Sequence, residues 1–478
     1  MMNRGTIAAA ILSLTSLVAG CASIDDAASN ARGADRDEWA RNVILFIGDG
    51  MGPSTITAAR IYDGQSRGES GEENLLAFER FPNVALVKTY NSNQQVPDSA
   101  GTASAMNTGV KTRAGMIGVG PQGLRGDCEG ALAHRVPNIA EKLIEQGRAI
   151  GIVTTARLTH ATPAAVYAHI PERNWENDSA IPDAELAKGC TDAARQLVEF
   201  PFTVALGGGR KNFLGKREGG NRRDESIDLM QQWVERTQGV VVKDRTSLQA
   251  AVSQDRPVLG VFADMHMTYA LDRAPDSSEP ALAEMTRAAI ARLSRHRAGY
   301  FLMVESGRID HGHHDGRAAY ALQEVQELSR AVEAALSLVD LSDTLILVTA
   351  DHSHVFTMGG YATRGNPILG LVRGNDSRGM PKESPNLADD GQPYTTLGYY
   401  NGPGAVTVQP RPAPSNDPKA RQQALVPITP EETHGGEDVP LYATGAGSKQ
   451  VGGVIEQNRI FDIMMNALGM RQTAASGR

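Results

Sequence analysis

The sequence predicts an α/β fold: a central, mostly parallel β-sheet flanked by helices on both faces. Three observations predict it. Short apolar runs recur along the chain, longer stretches with helical spacing lie between them, and turn-forming residues crowd into one late segment. The runs are too apolar for a half-exposed sheet and fit strands covered on both faces, as in parallel sheets. Strand-then-helix alternation is the pattern of a doubly wound sheet.

In chain order the strand runs are "VILFI" (43–47), "VALVK" (84–88), "AIGIVT" (149–154), "FTVAL" (202–206), "PVLGVF" (257–262), "YFLMV" (300–304) and "DTLILVT" (343–349). Residues 281–296 and 317–339 are amphipathic at helical spacing. From about 357 to 430 Gly, Pro, Asn and Asp are dense, and a structureless loop of that size is unusual inside a compact domain. Residues 358–430 are therefore read as an irregular insertion. It separates the first part of the α/β domain, 41–357, from the return of the chain at 431–478.

The start, "MMNRGTIAAAILSLTSLVAGC", has Arg4, an apolar run from Ile7 to Ala19 and small residues before Cys21. That is a signal-peptide pattern, too short for a membrane span. "LVAGC" resembles a bacterial lipobox, which would put a lipid on Cys21; a plain secretory signal is the alternative. The expectation is a leader over 1–20, a flexible tether over 21–40, and export to the periplasm or cell surface with attachment through Cys21. Cys128 and Cys190 remain, and an even remainder in an exported chain suggests a disulfide. No Cys-rich zinc spacing exists, so a metal site must use His and carboxylates. A net charge of −8 argues against a nucleic-acid partner and leaves small anionic substrates open.

Chemistry collects just past the strands. Asp49 follows the first, Glu305 ends another with Asp310 and His314 close behind, and Asp351 and His352 follow a third. Ligands of open α/β sheets bind outside these carboxyl ends. Clustered carboxylates are costly unless cations neutralise them, which points to a multi-metal site. Mixed Asp and His suit zinc, whereas Glu305, Asp49 and a hydroxyl suit magnesium. Asp310 and His314 are spaced to share one helical face. Residue spacing alone does not recruit His434. In "QQVPDSAGTAS" (94–104) Ser99 is a nucleophile or a helix cap. It lacks a G-x-S-x-G elbow, so a triad is not the first choice. A serine activated by a cation at a helix opening points to phosphoryl transfer.

"DGMG", "PDSAGTASAMNTGVKT", "HATPAAVYAHIPERNW", "VESGRIDHGHH", "TADHSH" and "ETHGGEDV" together resemble the alkaline phosphatases, and the animal type more than the enteric bacterial type. The resemblance runs in order from about 40 to 470 and includes "GGYATRG", "NGPG" and "RQQA" in the irregular region. It implies a phosphomonoesterase with two zinc ions and one magnesium per chain. Ser99 would be the nucleophile, forming a phosphoserine. Asp310, His314 and His434 would hold the zinc at the leaving group. Asp49, Ser99, Asp351 and His352 would hold the zinc at the nucleophile. Asp49, Thr162 and Glu305 would hold magnesium. Arg173 would grip phosphate, with Asp98 orienting it, and His160 and His311 would act through water.

The resemblance also implies a homodimer crossed by Tyr361, a crown-like role for 358–430, and a disulfide between Cys128 and Cys190. One departure stands out: Ala263 occupies the place of a glutamate in the animal calcium site, so that fourth metal is expected to be absent. A sulfatase is disfavoured because "DSAGT" lacks the formylglycine context. A diesterase is disfavoured by Thr162 and Glu305. A zinc- or phosphate-sequestering lipoprotein would need no nucleophile.

Overall fold

Residues 42–48, "NVILFIG", are buried at every position and form one of the central strands of a ten-stranded sheet. The computed structural model describes residues 39–470. The expected leader, the Cys21 lipid site and nearly all of the expected tether lie outside the described residues. Ala40, at the tether's end, is buried, and its N–H donates to Ala467 O at 2.7 Å.

The strands in chain order are β1 (Asn42–Gly48), β2 (Asn83–Lys88), β3 (Ala149–Arg157), β4 (Val204–Gly208), β5 (Val240–Val242), β6 (Val258–Val261), β7 (Tyr300–Ser306) and β8 (Thr344–Ala350). They continue as β9 (Ser353–His354), β10 (Phe356–Met358), β11 (Leu397–Gly402), β12 (Gln423–Pro427), β13 (His434–Gly435), β14 (Val439–Gly445) and β15 (Gly453–Glu456). The large sheet runs β15-β2-β14-β8-β1-β7-β3-β4-β6-β5. All its pairings are parallel except those of β14, which is antiparallel to both neighbours. The predicted mostly parallel sheet is therefore present, and helices Leu282–Leu293 and Ala318–Leu336 match the amphipathic stretches.

Two features differ from the reading of the sequence. β2 is not covered on both faces: Val84 and Leu86 are 47% and 44% exposed, because β2 lies next to the edge strand. β14 was not legible as a strand, and it fills an interior place between β8 and β2. A small sheet, β10-β11-β12, organises the irregular late segment. Cys128 and Cys190 are bonded, with their Cα atoms 5.7 Å apart, as the cysteine count suggested. None of the described helices is long and apolar enough to cross a membrane.

Helix Ala318–Leu336 buries Glu324 against the sheet layer, where its Oε1 accepts from Ala270 N at 2.7 Å. Burial, reinforced by Glu327, pushes this carboxyl up to about 7. The unfolded chain titrates near the ordinary glutamate value of about 4.3, so the folded state holds a proton that the unfolded state has released. The resulting stability is complete below the unfolded value and is lost as pH rises through about 7. Glu324→Gln keeps an acceptor without the charge. It should stabilise the protein by about 1–2 kcal/mol at alkaline pH and by almost nothing at pH 5. Thermal melts at both pH values check this; an equal gain at both would rule out titration as the cause.

Candidate active site

Parallel register brings the reactive side chains to one edge of the sheet. Gly48 at the end of β1 pairs with Ser306 of β7 and Ala350 of β8, and Ile47 pairs with Glu305. Asp49 and Asp351 therefore leave adjacent strands at one level, with Glu305 two positions back on the third. Gly50 turns the chain with φ +71°, and a Cβ there would collide with the His354 ring. Its N–H donates to Asp351 Oδ1 at 2.9 Å, fixing one carboxylate against the turn that carries the other.

Helix Ser99–Thr108 opens at the same edge. Asp98, not Ser99, caps it: Asp98 Oδ1 accepts from Gly101 N at 3.1 Å. Ser99 is thus free of the capping role, and its Oγ lies 3.1 Å from His352 Nε2. His352 Nδ1 faces Ser353 O at 3.2 Å, so the ring proton sits on Nδ1 and Nε2 presents a lone pair. That orienting group is a backbone carbonyl, not a carboxylate, so the arrangement is not a Ser-His-Asp triad. Asp49 Oδ1 and Asp351 Oδ2 each lie 3.4 Å from the same Nε2. Four oxygen and nitrogen donors thus converge on one point.

A second convergence shares Asp49. Ligand atoms of Asp49, His160 and Glu305 lie within 4.8 Å of one another. Both Asp49 oxygens, Glu305 Oε1 and the Thr162 hydroxyl are buried with no hydrogen-bond partner. Burial first, and then the neighbouring carboxylates, push Asp49 well above the usual range, and burial pushes Glu305 up to about 7. Arg173 Nη2 donates to His160 Nε2 at 3.2 Å. A guanidinium only donates, so the His160 proton is on Nδ1 and neither ring nitrogen offers a free lone pair. His160 thus belongs to this cluster with its Nε2 already taken up by Arg173.

The third cluster gathers Asp310, His314 and His434, with His354 added. His314 Nδ1 faces Glu432 O and His434 Nδ1 faces Pro97 O, at 2.7 and 2.8 Å. Both rings are protonated there, so their Nε2 lone pairs face each other at 3.1 Å. Asp310 Oδ1 lies 3.2 Å from one and 3.5 Å from the other.

His354 was not singled out from the sequence. It sits on β9, paired with β13 in a register that sets it across from His434. Its Nε2 reaches Asp310 Oδ1 at 2.9 Å and its Nδ1 reaches Glu432 Oε2 at 2.7 Å. Both partners are acceptors, so both nitrogens donate, and His354 is an imidazolium. Burial opposes that charge, but Glu432 and Asp310 raise His354 to about 10. It orients Asp310 rather than offering a lone pair. The alternation in "HSH" was the one available signal, since alternate strand residues share a face.

Arg173 stands over Ser99's side of the site. Its Nη1 donates to Asp98 Oδ2 at 3.1 Å, and its backbone N–H and that carboxylate are both tied to Gly115. His311 Nδ1 accepts from Arg308 Nη1 at 3.1 Å, and burial holds His311 down to about 3, a neutral ring.

Every site residue read from the sequence is thus gathered at this edge. Facing lone pairs, orphaned carboxylate oxygens and three clustered acids form an arrangement that divalent cations stabilise and water-free burial alone does not. The donor sets fit: two mixed Asp/His sets suit zinc, and the oxygen set of Asp49, Glu305 and Thr162 suits magnesium.

The family profile described as "Alkaline phosphatase" matches residues 40–470. The chain is 46% identical over 445 residues to the tissue-nonspecific alkaline phosphatase of Gallus gallus, covering 88% of this chain and 83% of that one. It is 42% identical over 452 residues to the Homo sapiens tissue-nonspecific isozyme, covering 90% and 83%. Among solved structures, Thermus thermophilus alkaline phosphatase aligns with a TM-score of 0.65 at 27% identity, covering 93% of this chain and 95% of that one. Taken with the site, these likenesses settle the family: the chain belongs to the alkaline phosphatases, metal-dependent enzymes that hydrolyse phosphate monoesters.

Proposed function

We propose that Ser99 is the nucleophile of this hydrolysis, working between two zinc sites and one magnesium site per chain. The observation that carries the reading is the Ser99 hydroxyl, buried and with no capping role, 3.1 Å from the His352 Nε2 on which Asp49 and Asp351 also converge. Asp310, His314 and His434 would hold the zinc nearest the leaving group. Asp49, Asp351, His352 and Ser99 would hold the other, and Asp49, Glu305 and Thr162 the magnesium. When bound, these ions neutralise the clustered carboxylates and act as Lewis acids toward the phosphate and the leaving oxygen.

The chain's own residues do the rest. Ser99 gives up its hydroxyl proton to solvent, and its Oγ attacks phosphorus in line with the ester bond. The Oγ–P bond forms as the ester P–O bond breaks, and the electron pair leaves on the alcohol oxygen, which takes a proton from solvent. Water then attacks the phosphoserine, returning Ser99 and inorganic phosphate. Arg173, fixed by Asp98, forks onto two non-bridging oxygens. The His311 ring, fixed at Nδ1 by Arg308, keeps its N–H on Nε2 for a phosphate-side water.

Arg173→Ala should raise KM for a phosphate monoester by roughly tenfold to a hundredfold, the loss of charge-assisted hydrogen bonds, with metal content unchanged. Steady-state kinetics beside metal analysis check it; lost metal with unchanged KM would assign Arg173 elsewhere.

Ala263 supplies no carboxylate in the place of the animal calcium-site glutamate, and the adjacent Asp264 pairs with Arg210 through Oδ1 at 2.6 Å, so we read three metals per chain. Residues 358–430 are read as the crown of a homodimer. Tyr361 supports that role: it is 98% exposed, and its backbone holds φ at +54°, rare for a residue other than glycine. Export and lipid attachment at Cys21 are read from the leader pattern. The deciding experiment measures zinc and magnesium per chain beside hydrolysis of p-nitrophenyl phosphate, its bis-ester and p-nitrophenyl sulfate. Preferred turnover of the bis-ester or sulfate would overturn the reading.

A further inference from the structure

Beside the ligand clusters lies a second group of imidazoles, His160, His266 and His311. The His266 ring packs on His311 with centroids 4.0 Å apart, and His160 stands 5.5 and 5.7 Å from the two. Each ring accepts from its own arginine: His160 from Arg173, His311 from Arg308 and His266 from Arg157. Because guanidinium nitrogens only donate, each ring is fixed in one tautomer. For His266 the acceptor is Nε2, so its proton sits on Nδ1.

Arg157 is itself held. Its Nε and Nη2 donate to the two oxygens of Glu176 at 2.7 and 2.5 Å. Glu176 also accepts from Thr159 at 2.5 Å and Asn212 at 2.9 Å. Glu176 therefore has little freedom to turn, and neither has Arg157. On its other side His311 is held only through Arg308, whose guanidinium lies 3.6 Å from the Tyr269 ring centre. His311 thus has two supports, and one of them is the line Glu176–Arg157–His266.

We propose that His266, locked by Arg157 and Glu176, is a positioning residue for His311, aiming the His311 N–H at the water beside the bound phosphate. The inference rests on the reading of His311 as a phosphate-side donor. A ring free to turn about its last side-chain bond presents that N–H only part of the time, so loss of His266 weakens phosphate binding rather than the bond-making step.

The test uses the metal-loaded enzyme, with inorganic phosphate as the probe. His266→Ala should raise the inhibition constant of phosphate roughly threefold to tenfold, with a smaller change in kcat and with zinc and magnesium retained. His311→Ala should give a similar rise, and the double variant should add little to either, as expected of two residues acting as a unit. His266→Gln gives Arg157 an acceptor but puts no ring on His311. It should restore thermal stability without restoring phosphate binding, which keeps the test usable if the alanine variant folds poorly. Multiplying effects in the double variant, or an unchanged constant in both His266 variants, would overturn the proposal. If His311→Ala alone leaves the constant unchanged, the reading of His311 falls and the proposal with it. Failure of phosphate to inhibit the wild-type enzyme would instead strike the phosphatase site itself.

Discussion

Ser99→Ala should lower turnover of p-nitrophenyl phosphate by roughly a thousandfold or more while leaving the fold in place. The two halves of that statement have separate causes. The hydroxyl is the nucleophile of the proposed reaction, so its loss leaves direct attack by water. Helix Ser99–Thr108 keeps its cap, because Asp98 supplies the capping oxygen to Gly101 N. Removing Ser99 therefore takes away one buried oxygen and no cap, a change of about 1 kcal/mol or less in stability. Rapid-mixing kinetics should also lose the early burst of alcohol if the wild type shows one. Turnover within tenfold of the wild type, in a variant with an unchanged melting temperature, would remove Ser99 from the chemistry.

Chelation should have the second largest effect, and it should strike stability as well as activity. Without a cation, the His314 and His434 lone pairs face each other at 3.1 Å, and both Asp49 oxygens are buried without a partner. Ions that bind only this folded arrangement stabilise it by mass action, about 4 kcal/mol when present at a thousand times their dissociation constant. Treatment with a strong chelator should therefore abolish hydrolysis and lower the melting temperature together. Zinc with magnesium should restore both, and neither alone should restore full activity. Hydrolysis that persists after verified metal removal would rule out the metal reading of all three clusters.

The strands that carry these groups were legible because burial on both faces leaves a run with no polar alternation, as in β1, β7 and β8. The residues just past them were legible for the same reason: a polar residue ending such a run stands at the ligand edge. β14 was not, because "VPLYATG" carries a proline at its second position, ends in a glycine and has no flanking helix pattern. The exposure of β2 escaped because it depends on place in the sheet, which composition does not encode. His354 was hidden differently. It sits beside a histidine read as a ligand, and only the pairing of β9 with β13 shows it turned to Asp310 and Glu432. His266 belongs to no motif, and its role arises from an arginine more than a hundred residues away in the chain, |i−j| = 109.

The interior place of β14 also sets a timetable. Residues 439–445 follow all but one of the sheet's other strands in chain order, yet they sit between β8 and β2, and β2 has no other neighbour but β15. His434 comes with them. Until this segment docks, the sheet is split and the zinc donor set proposed above is incomplete, so hydrolysis waits for it. Long-range pairing of this kind forms late and slowly. Activity therefore returns only as this interior strand comes to rest between its two neighbours.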